Sequence, residues 1–185
     1  MRSRKLLFLF ISILFFSCSF QQEKASYKTV PASETVSILS YFSPKGGCTS
    51  AIIREIENAN SSIDAAIFSF TSKKLARALI SAHNKGIKVR VIIDQGTAKS
   101  KRCVASILKK AGIPVRFKRG SGGGLMHNKF AVIDGKVVIT GSFNWTVSAE
   151  KRNDENIVII KGDRETSARF KEKFEHLWRL AYLEE

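Results

Sequence analysis

Past residue 35 the apolar side chains recur alternately at every second position and at every third or fourth, which predicts strands and helices in turn. Residues 36–42 read as a strand, and Ser43, Pro44, Lys45, Gly46 and Gly47 as a turn. Ile52, Ile53, Ile56 and Ala59 share one face of a helix over 49–60. After a strand at 63–70, Ser72 is placed to cap a helix carrying Leu75, Ala76, Leu79 and Ile80, which stops near Gly86. Residues 88–94 form the next strand, and Val104, Ile107, Leu108 and Ala111 mark a third helix closed by Gly112. A short strand at 114–117 runs into the glycine-rich segment 118–124, too flexible to belong to a core. Phe170, Phe174, Leu177, Trp178 and Ala181 line the apolar face of a closing helix. Such alternation builds an α/β sandwich, and no internal repeat is present.

The N-terminal residues follow another pattern. Arg2, Arg4 and Lys5 precede an apolar run over 6–16. As a helix that run rises roughly 17 Å, short of the roughly 30 Å of a bilayer core. A cleaved export signal over 1–17 is expected. Ser17-Cys18 after the run resembles the end of a bacterial lipoprotein signal, with Cys18 becoming the lipidated first residue, although Phe15 stands where that pattern usually has Leu. Simple secretion and an uncleaved anchor are the alternatives. Residues 18–35 are polar and aperiodic and read as a tether, leaving 36–185 as the folded domain. The expected location is outside the cytoplasm, either periplasmic or membrane-anchored, or else secreted.

Composition narrows the partners. The chain carries 31 Lys and Arg against 16 Asp and Glu, a net charge of +15, which calls for an anionic partner such as nucleic acid or an anionic lipid surface. A hydrophobic fraction of 44% excludes a disordered polycation, and three Cys with three Pro exclude a disulfide scaffold or a Pro-rich chain. Cys48 and Cys103 form either one disulfide, in an oxidising compartment, or two buried thiols. His83, His127 and His176 lie far apart and no Cys-x-x-Cys occurs, so zinc spacing is missing. Between Asp94 and Asp134 there is no acidic residue, whereas Lys99, Lys101, Arg102, Lys109, Lys110, Arg116, Lys118, Arg119 and Lys129 lie there. This stretch would form a positive wall with Lys101, Arg102, Lys118 and Arg119 as substrate-binding candidates, part of it being ordinary solvated helix face.

Residues 126–146 concentrate the chemistry. Asp134-Gly135 between alternating apolar residues predicts a two-residue type I′ hairpin, whose central positions both take positive φ. Ile133 then pairs with Lys136, which sets His127 opposite Ser142 and Lys129 opposite Thr140, with opposed Cβ atoms roughly 4.5–5.5 Å apart. One face would gather His127, Lys129 and Ser142, with Asn144 just beyond. Strand alternation turns Asp134 to the other face, so its expected role is the turn and its hydrogen bonds, not proton transfer. A histidine that titrates near neutrality, a fixed cation and neutral donors together suit a phosphate. Backbone N–H groups at the 141–144 bend would add to the anion site if that bend opens a helix. The sequence offers no carboxylate cluster suited to Mg²⁺ or Ca²⁺.

His127-x-Lys129-x₄-Asp134 followed by Gly141-Ser142-x-Asn144 resembles the HKD signature of the phospholipase D superfamily. The resemblance covers nearly all of 36–185 and is closest to the small single-motif branch, which holds bacterial endonucleases, Zucchini-type proteins and mitochondrial cardiolipin hydrolases. Residues 41–44 and 68–71 also look like that branch. A zinc-binding Cys/His insertion of the Zucchini kind is missing, which favours the endonuclease side. The resemblance implies an α-β-α sandwich with a mixed central sheet and helices on both faces. It also implies a phosphodiesterase that works through a phosphohistidine without metal or other cofactor. By position, His127 would attack phosphorus, Lys129 and Asn144 would hold phosphoryl oxygens, and Ser142 would assist. Glu155, on a later strand, would hydrogen-bond His127 and orient it, while Asp134, Gly135 and Gly141 are structural members of the motif.

The signature occurs once, but in-line displacement needs a nucleophile and a general acid on opposite sides of phosphorus. A homodimer with one shared site is therefore expected, His127 serving as nucleophile in one protomer and as acid in the other. Two substrate readings follow. An endonuclease acting on DNA or RNA suits the cationic stretch, and its binding should weaken with salt. A cardiolipin-like phospholipid hydrolase would show an apolar mouth, for which Leu125, Met126, Phe143 and Trp145 are candidates, although those four serve equally as core or base-stacking residues. A non-catalytic nucleic-acid binder is disfavoured because every motif position is filled.

Overall fold

The computed structural model describes residues 35–182. The export segment, Cys18 and nearly all of the tether lie outside the described residues. Within them the chain forms β1 (Ser37–Ser43), α1 (Cys48–Glu57), β2 (Ser62–Ile67), α2 (Lys73–Asn84), β3 (Lys88–Asp94), α3 (Gln95–Ala98), α4 (Ala105–Lys110), β4 (Val115–Lys118), β5 (Lys129–Ile133), β6 (Val137–Gly141), α5 (Val147–Lys151), β7 (Glu155–Lys161) and α6 (Arg164–Leu180). The strands make one mixed sheet in the order β1-β7-β6-β5-β2-β3-β4. β2, β3 and β4 run parallel, and the pairs from β1 across to β2 are antiparallel.

β2 is buried at every position after its first, as a central strand covered on both faces must be. Its residues divide by parity. Ile63, Ala65 and Ile67 pack with Ile52 and Ile56 of α1, Leu75 and Leu79 of α2 and Leu108 of α4. Ala66 faces the other way and joins Ile92, Phe130 and Val132 beneath Phe174 and Leu177 of α6. On that face buried Asp64 accepts from Arg90 Nε at 2.7 Å and also meets Lys171, while Arg90 reaches Glu175 of α6. The Arg90 guanidinium lies over the Phe174 and Trp178 rings, 4.9 and 5.2 Å from their centres. A buried carboxylate paired twice in this way keeps its desolvation cost compensated and fixes α6 over the sheet.

Several elements differ from expectation: β2 ends at Ile67, not at residue 70, with Phe70 making only an isolated bridge to Trp145, and α5 lies where the pattern predicts no helix. α1 ends at Glu57, short of residue 60, because the Asn60 and Ser61 N–H groups are taken by the Asp134 carboxylate, each at 2.8 Å. α3, which periodicity does not reveal, is a single turn started by buried Asp94, whose Oδ1 accepts from the Gly96 and Thr97 N–H groups. Cys48 is a buried free thiol, so the Cys48–Cys103 disulfide is not formed, and Cys103 is only half-buried, not the second buried thiol of the alternative. Burial, helped by the Glu150 charge, pushes the Cys48 thiol up to about 11.

The topology brings the ends of β1, β2, β3, β4 and β6 and the beginnings of β5 and β7 to one edge of the sheet.

Candidate active site

The β5–β6 hairpin has the expected turn but a register shifted by one. Asp134 and Gly135 take φ of 54° and 65°, and Lys136 N–H donates to the Ile133 carbonyl at 3.0 Å. Ile133 nonetheless pairs with Val137, and Phe130 with Thr140, so Lys136 is an extra residue that displaces the ladder. The expected pairings of His127 with Ser142 and of Lys129 with Thr140 are thus not made. β5 begins only at Lys129, and His127 lies in the segment before it.

That segment is anchored on both sides of His127. Buried Met126 donates its N–H to Asp94 Oδ2 at 3.0 Å, and the Asn128 carbonyl accepts from Phe68 N–H at 2.7 Å. The His127 side chain is exposed, with its ring 4.5 Å from the Phe68 ring and tilted by 59°. Lys129 Nζ donates to the His127 carbonyl at 2.8 Å and sits 4.9 Å from the centre of the same Phe68 ring. Phe68 therefore supports both motif side chains. Burial lowers the Lys129 pKa below the ordinary lysine value, and the Glu155 charge opposes that shift.

From β6 and the loop beyond come Ser142 and Asn144. Ser142 Oγ accepts the Asn156 N–H at 3.1 Å and donates to Asn156 Oδ1 at 3.2 Å. A Cβ on Gly141 would lie 2.1 Å from the Asn156 carbonyl oxygen, and its φ is 154°, so only glycine lets β6 end this close to β7. Asn144 is half-buried and its Oδ1 has no hydrogen-bond partner, which leaves that end of the amide unspent. The 141–144 bend does not open a helix: α5 starts at Val147 under a Thr146 cap, and Phe143 N–H goes to the Asn156 carbonyl at 3.3 Å. The expected helix-terminal anion site is therefore not formed by that bend.

Glu155 opens β7 opposite Ser43. Its carboxylate accepts from Asn153 Nδ2 at 3.1 Å and not from His127, because Asn153 in the preceding turn competes for it. Asp134 lies at the other end of β5 from His127. Its carboxylate accepts from the N–H groups of Asn60, Ser61 and Ser62 and from Ser61 Oγ. Burial alone would raise its pKa, but those bonds hold it below the usual carboxylate range. Sequence reasoning missed Asp94 and Asn156, which act through the backbone. An Asp that closes an apolar strand ahead of Gly-Thr is a capping pattern, and that signal was available for Asp94.

The basic candidates separate. Lys118 is the last residue of β4, is buried, and turns Nζ back to the Arg119 carbonyl at 2.6 Å. It is thereby withdrawn from any substrate. Arg119 is exposed but bridges to Leu125 across a loop closed by Gly120 N–H on the Gly124 carbonyl at 2.8 Å, so this loop is tighter than its composition suggests. Arg116 is held against Trp178, 4.3 Å from the ring centre. The cations therefore do not form one wall. Lys101 and Arg102 are exposed and border a separate cavity. Of the four residues considered for an apolar mouth, Met126, Phe143 and Trp145 are core and only Leu125 is exposed, at 59%. Among the described residues no three or more His, Cys, Asp and Glu side chains converge as metal ligands would, and no helix is long and apolar enough to cross a membrane.

Residues 52–178 match the family described as cardiolipin synthase, PLD-like domain. The chain belongs to the phospholipase D superfamily. It is 42% identical to a mitochondrial cardiolipin hydrolase of Xenopus tropicalis over 121 residues, 65% of this chain and 56% of that protein. It thus spans little more than half the length of that relative. A phospholipase D of Rickettsia prowazekii is 37% identical over 145 residues, 78% of this chain and 70% of that protein. Among solved structures, the phospholipase D family member Nuc from Salmonella typhimurium superposes with a TM-score of 0.75 and 29% identity, covering 80% of this chain and 97% of Nuc. NucT from Helicobacter pylori gives a TM-score of 0.73 and 27% identity, over 80% and 98%. The mixed α/β sheet is the one these phospholipase D relatives share.

Proposed function

We propose that this chain is a metal-independent phosphodiesterase that cleaves DNA, RNA or both with little sequence preference, through a phosphohistidine at a homodimer interface. The observation that carries this reading is the exposed His127 ring, fixed by backbone bonds on either side and sharing the Phe68 support with the Lys129 ammonium. A neutral ring nitrogen of His127 attacks phosphorus, and the P–O bond to the departing sugar oxygen breaks as the N–P bond forms. His127 of the partner subunit, protonated, gives that oxygen its proton. Now neutral, it takes a proton from water as the water oxygen attacks phosphorus, and the N–P bond breaks to release a phosphomonoester. Lys129 and Asn144 donate to the non-bridging oxygens, and Ser142 assists. Glu155 orients His127 by exchanging its bond to Asn153 for one to the ring. One imidazole must start neutral and the other charged, so activity rises and then falls with pH, with apparent pKa values that belong to the pair.

Two observations favour nucleic acid. Met126, Phe143 and Trp145 are spent on the core, so the apolar mouth that a lipid tail needs is reduced to Leu125. Nuc and NucT are matched over nearly their whole length, whereas the cardiolipin hydrolase is matched over 56%. The 42% identity to that hydrolase supports the second reading, a phospholipid hydrolase at a membrane surface, which an N-terminal tether would assist. The test incubates the chain with plasmid, single-stranded DNA, RNA and anionic vesicles in excess EDTA. Nucleic-acid cleavage that survives the chelator and is lost in His127→Ala supports the proposal. Turnover of lipid alone supports the alternative, and loss of all activity in EDTA overturns the metal-free mechanism. Mixed dimers with one His127→Ala subunit should lose the shared site, and full activity in them would refute it.

A further inference from the structure

We propose that a cavity between α1, α2, α4 and α5 is a second phosphate-binding tract, which grips the polynucleotide a short step from the scissile bond; this rests on the nuclease reading above. The cavity encloses about 760 Å³, within the range that seats organic ligands. Lys73, Lys74, Lys101, Arg102 and Lys151 line it against one carboxylate, Glu150. That carboxylate is already engaged, its Oε2 accepting the Thr49 N–H at 2.8 Å. The five cations form no ion pair among the described residues. Like charges facing one concavity repel one another, and a polyanion both removes that repulsion and releases its own counterions on binding.

The other walls indicate which part of the polymer is held. Thr49, Ser50, Ser106 and Ser148 supply hydroxyl donors beside the aliphatic Ile53, Ile107 and Val147, and among the described residues no aromatic side chain lines the cavity. Donors and cations without a stacking platform engage phosphate and sugar, not bases, so the grip is indifferent to sequence. The cavity also continues the segments that build the active site. Beyond Phe68 the chain reaches Thr71 and Ser72, whose N–H groups each donate to the Trp145 carbonyl at 2.9 Å. Trp145 follows Asn144, and Thr146 is part of the cavity wall. Two residues of extended chain span at most roughly 7 Å, so a strand whose scissile phosphate meets Asn144 has a neighbouring phosphate at the cavity mouth.

The test compares kcat/KM of the full chain on bis(p-nitrophenyl) phosphate, a diester with no flanking strand, and on a long single-stranded oligonucleotide. The triple variant Lys74→Ala, Lys101→Ala, Arg102→Ala should lose about tenfold or more on the oligonucleotide beyond any loss on the small diester. Its log–log salt slope should flatten by about 2, at roughly 0.7 per phosphate contact removed. The single reversal Lys151→Glu should move both readouts in the same direction. Lys85→Ala with Lys88→Ala, which removes two charges at the opposite edge of the sheet, should keep the native ratio. Equal losses on both substrates, an unaltered salt slope, or the same shift from the opposite-edge variant would overturn the tract. So would a selective loss of hydrolysis on anionic vesicles, which would assign the cavity to a lipid headgroup. A native chain that hydrolyses the small diester but no polynucleotide would refute the nuclease reading itself, before any variant is compared.

Discussion

Replacing Asp134 by asparagine tests whether the last residue of the signature serves the fold or the chemistry. Oδ1 accepts from Ser61 N–H, Ser61 Oγ and Ser62 N–H at 2.8, 2.8 and 2.9 Å, and Oδ2 accepts from Asn60 N–H at 2.8 Å. Asparagine tolerates the φ of 54° and keeps one acceptor, but it sets an NH₂ against the Asn60 donor. An orphaned donor costs about 1–3 kcal/mol, and bonds to a neutral oxygen have about half the strength of those to a charged one. Asp134 is only half-buried, so water compensates in part, and the expected loss is about 2–4 kcal/mol. With a urea m-value of about 2 kcal/mol/M, the unfolding midpoint at neutral pH falls by about 1–2 M. The sign with pH follows from the depressed pKa in the folded state. The stabilisation is complete above the unfolded value of about 4 and is lost as pH falls through the lower folded value, so the gap between native and variant closes in acid. The assay is urea unfolding followed by tryptophan fluorescence at several pH values, with kcat measured on folded protein alongside. An unchanged midpoint with a collapsed kcat would make Asp134 a chemical participant and refute the reasoning.

Gly141→Ala places a Cβ 2.1 Å from the Asn156 carbonyl oxygen, which should cost about 3 kcal/mol or more and lower Tm by about 10 °C in a thermal melt. Because burial lowers the Lys129 pKa, oligonucleotide binding by His127→Ala should weaken at a lower alkaline pH than an ordinary lysine dictates. Adding Lys129→Arg should restore binding there, as read by fluorescence anisotropy across the pH range. Cys48, fully buried and with its thiol pushed up to about 11, should resist iodoacetamide at pH ~8 until the protein unfolds, as mapped by mass spectrometry.

The layers of this molecule were legible because burial follows simple periods. The parity of β2 and the spacing of Leu75, Ala76 and Leu79 in α2 translate directly into which face each side chain covers. His127, Lys129 and Asn144 were legible as a motif because their types and offsets are distinctive. The register of the hairpin was not, since one extra residue at Lys136 alters every pairing while leaving the turn chemistry intact. Neither was the fate of Lys118, whose burial depends on how the following loop closes. Asp94 escaped notice because its carboxylate holds backbone N–H groups, and Asn156 because its own N–H donates to Ser142 Oγ and its carbonyl accepts Phe143 N–H, and such service leaves little mark on side-chain spacing. The cavity bordered by Lys101 and Arg102 draws on four helices distant in sequence, so three of its five cations stood outside the basic stretch.

Every strand of the sheet precedes α6 in the chain, yet α6 is what covers Ala66, Ile92, Phe130 and Val132. As the ribosome delivers the protein from its N-terminus, this greasy surface waits uncovered, and prone to aggregation, until α6 has emerged. Met126 belongs to the same cluster, so the hook beside the His127 ring tightens only when that helix docks. A newborn chain with the proposed activity thus completes the setting of His127 only once α6 has emerged and docked.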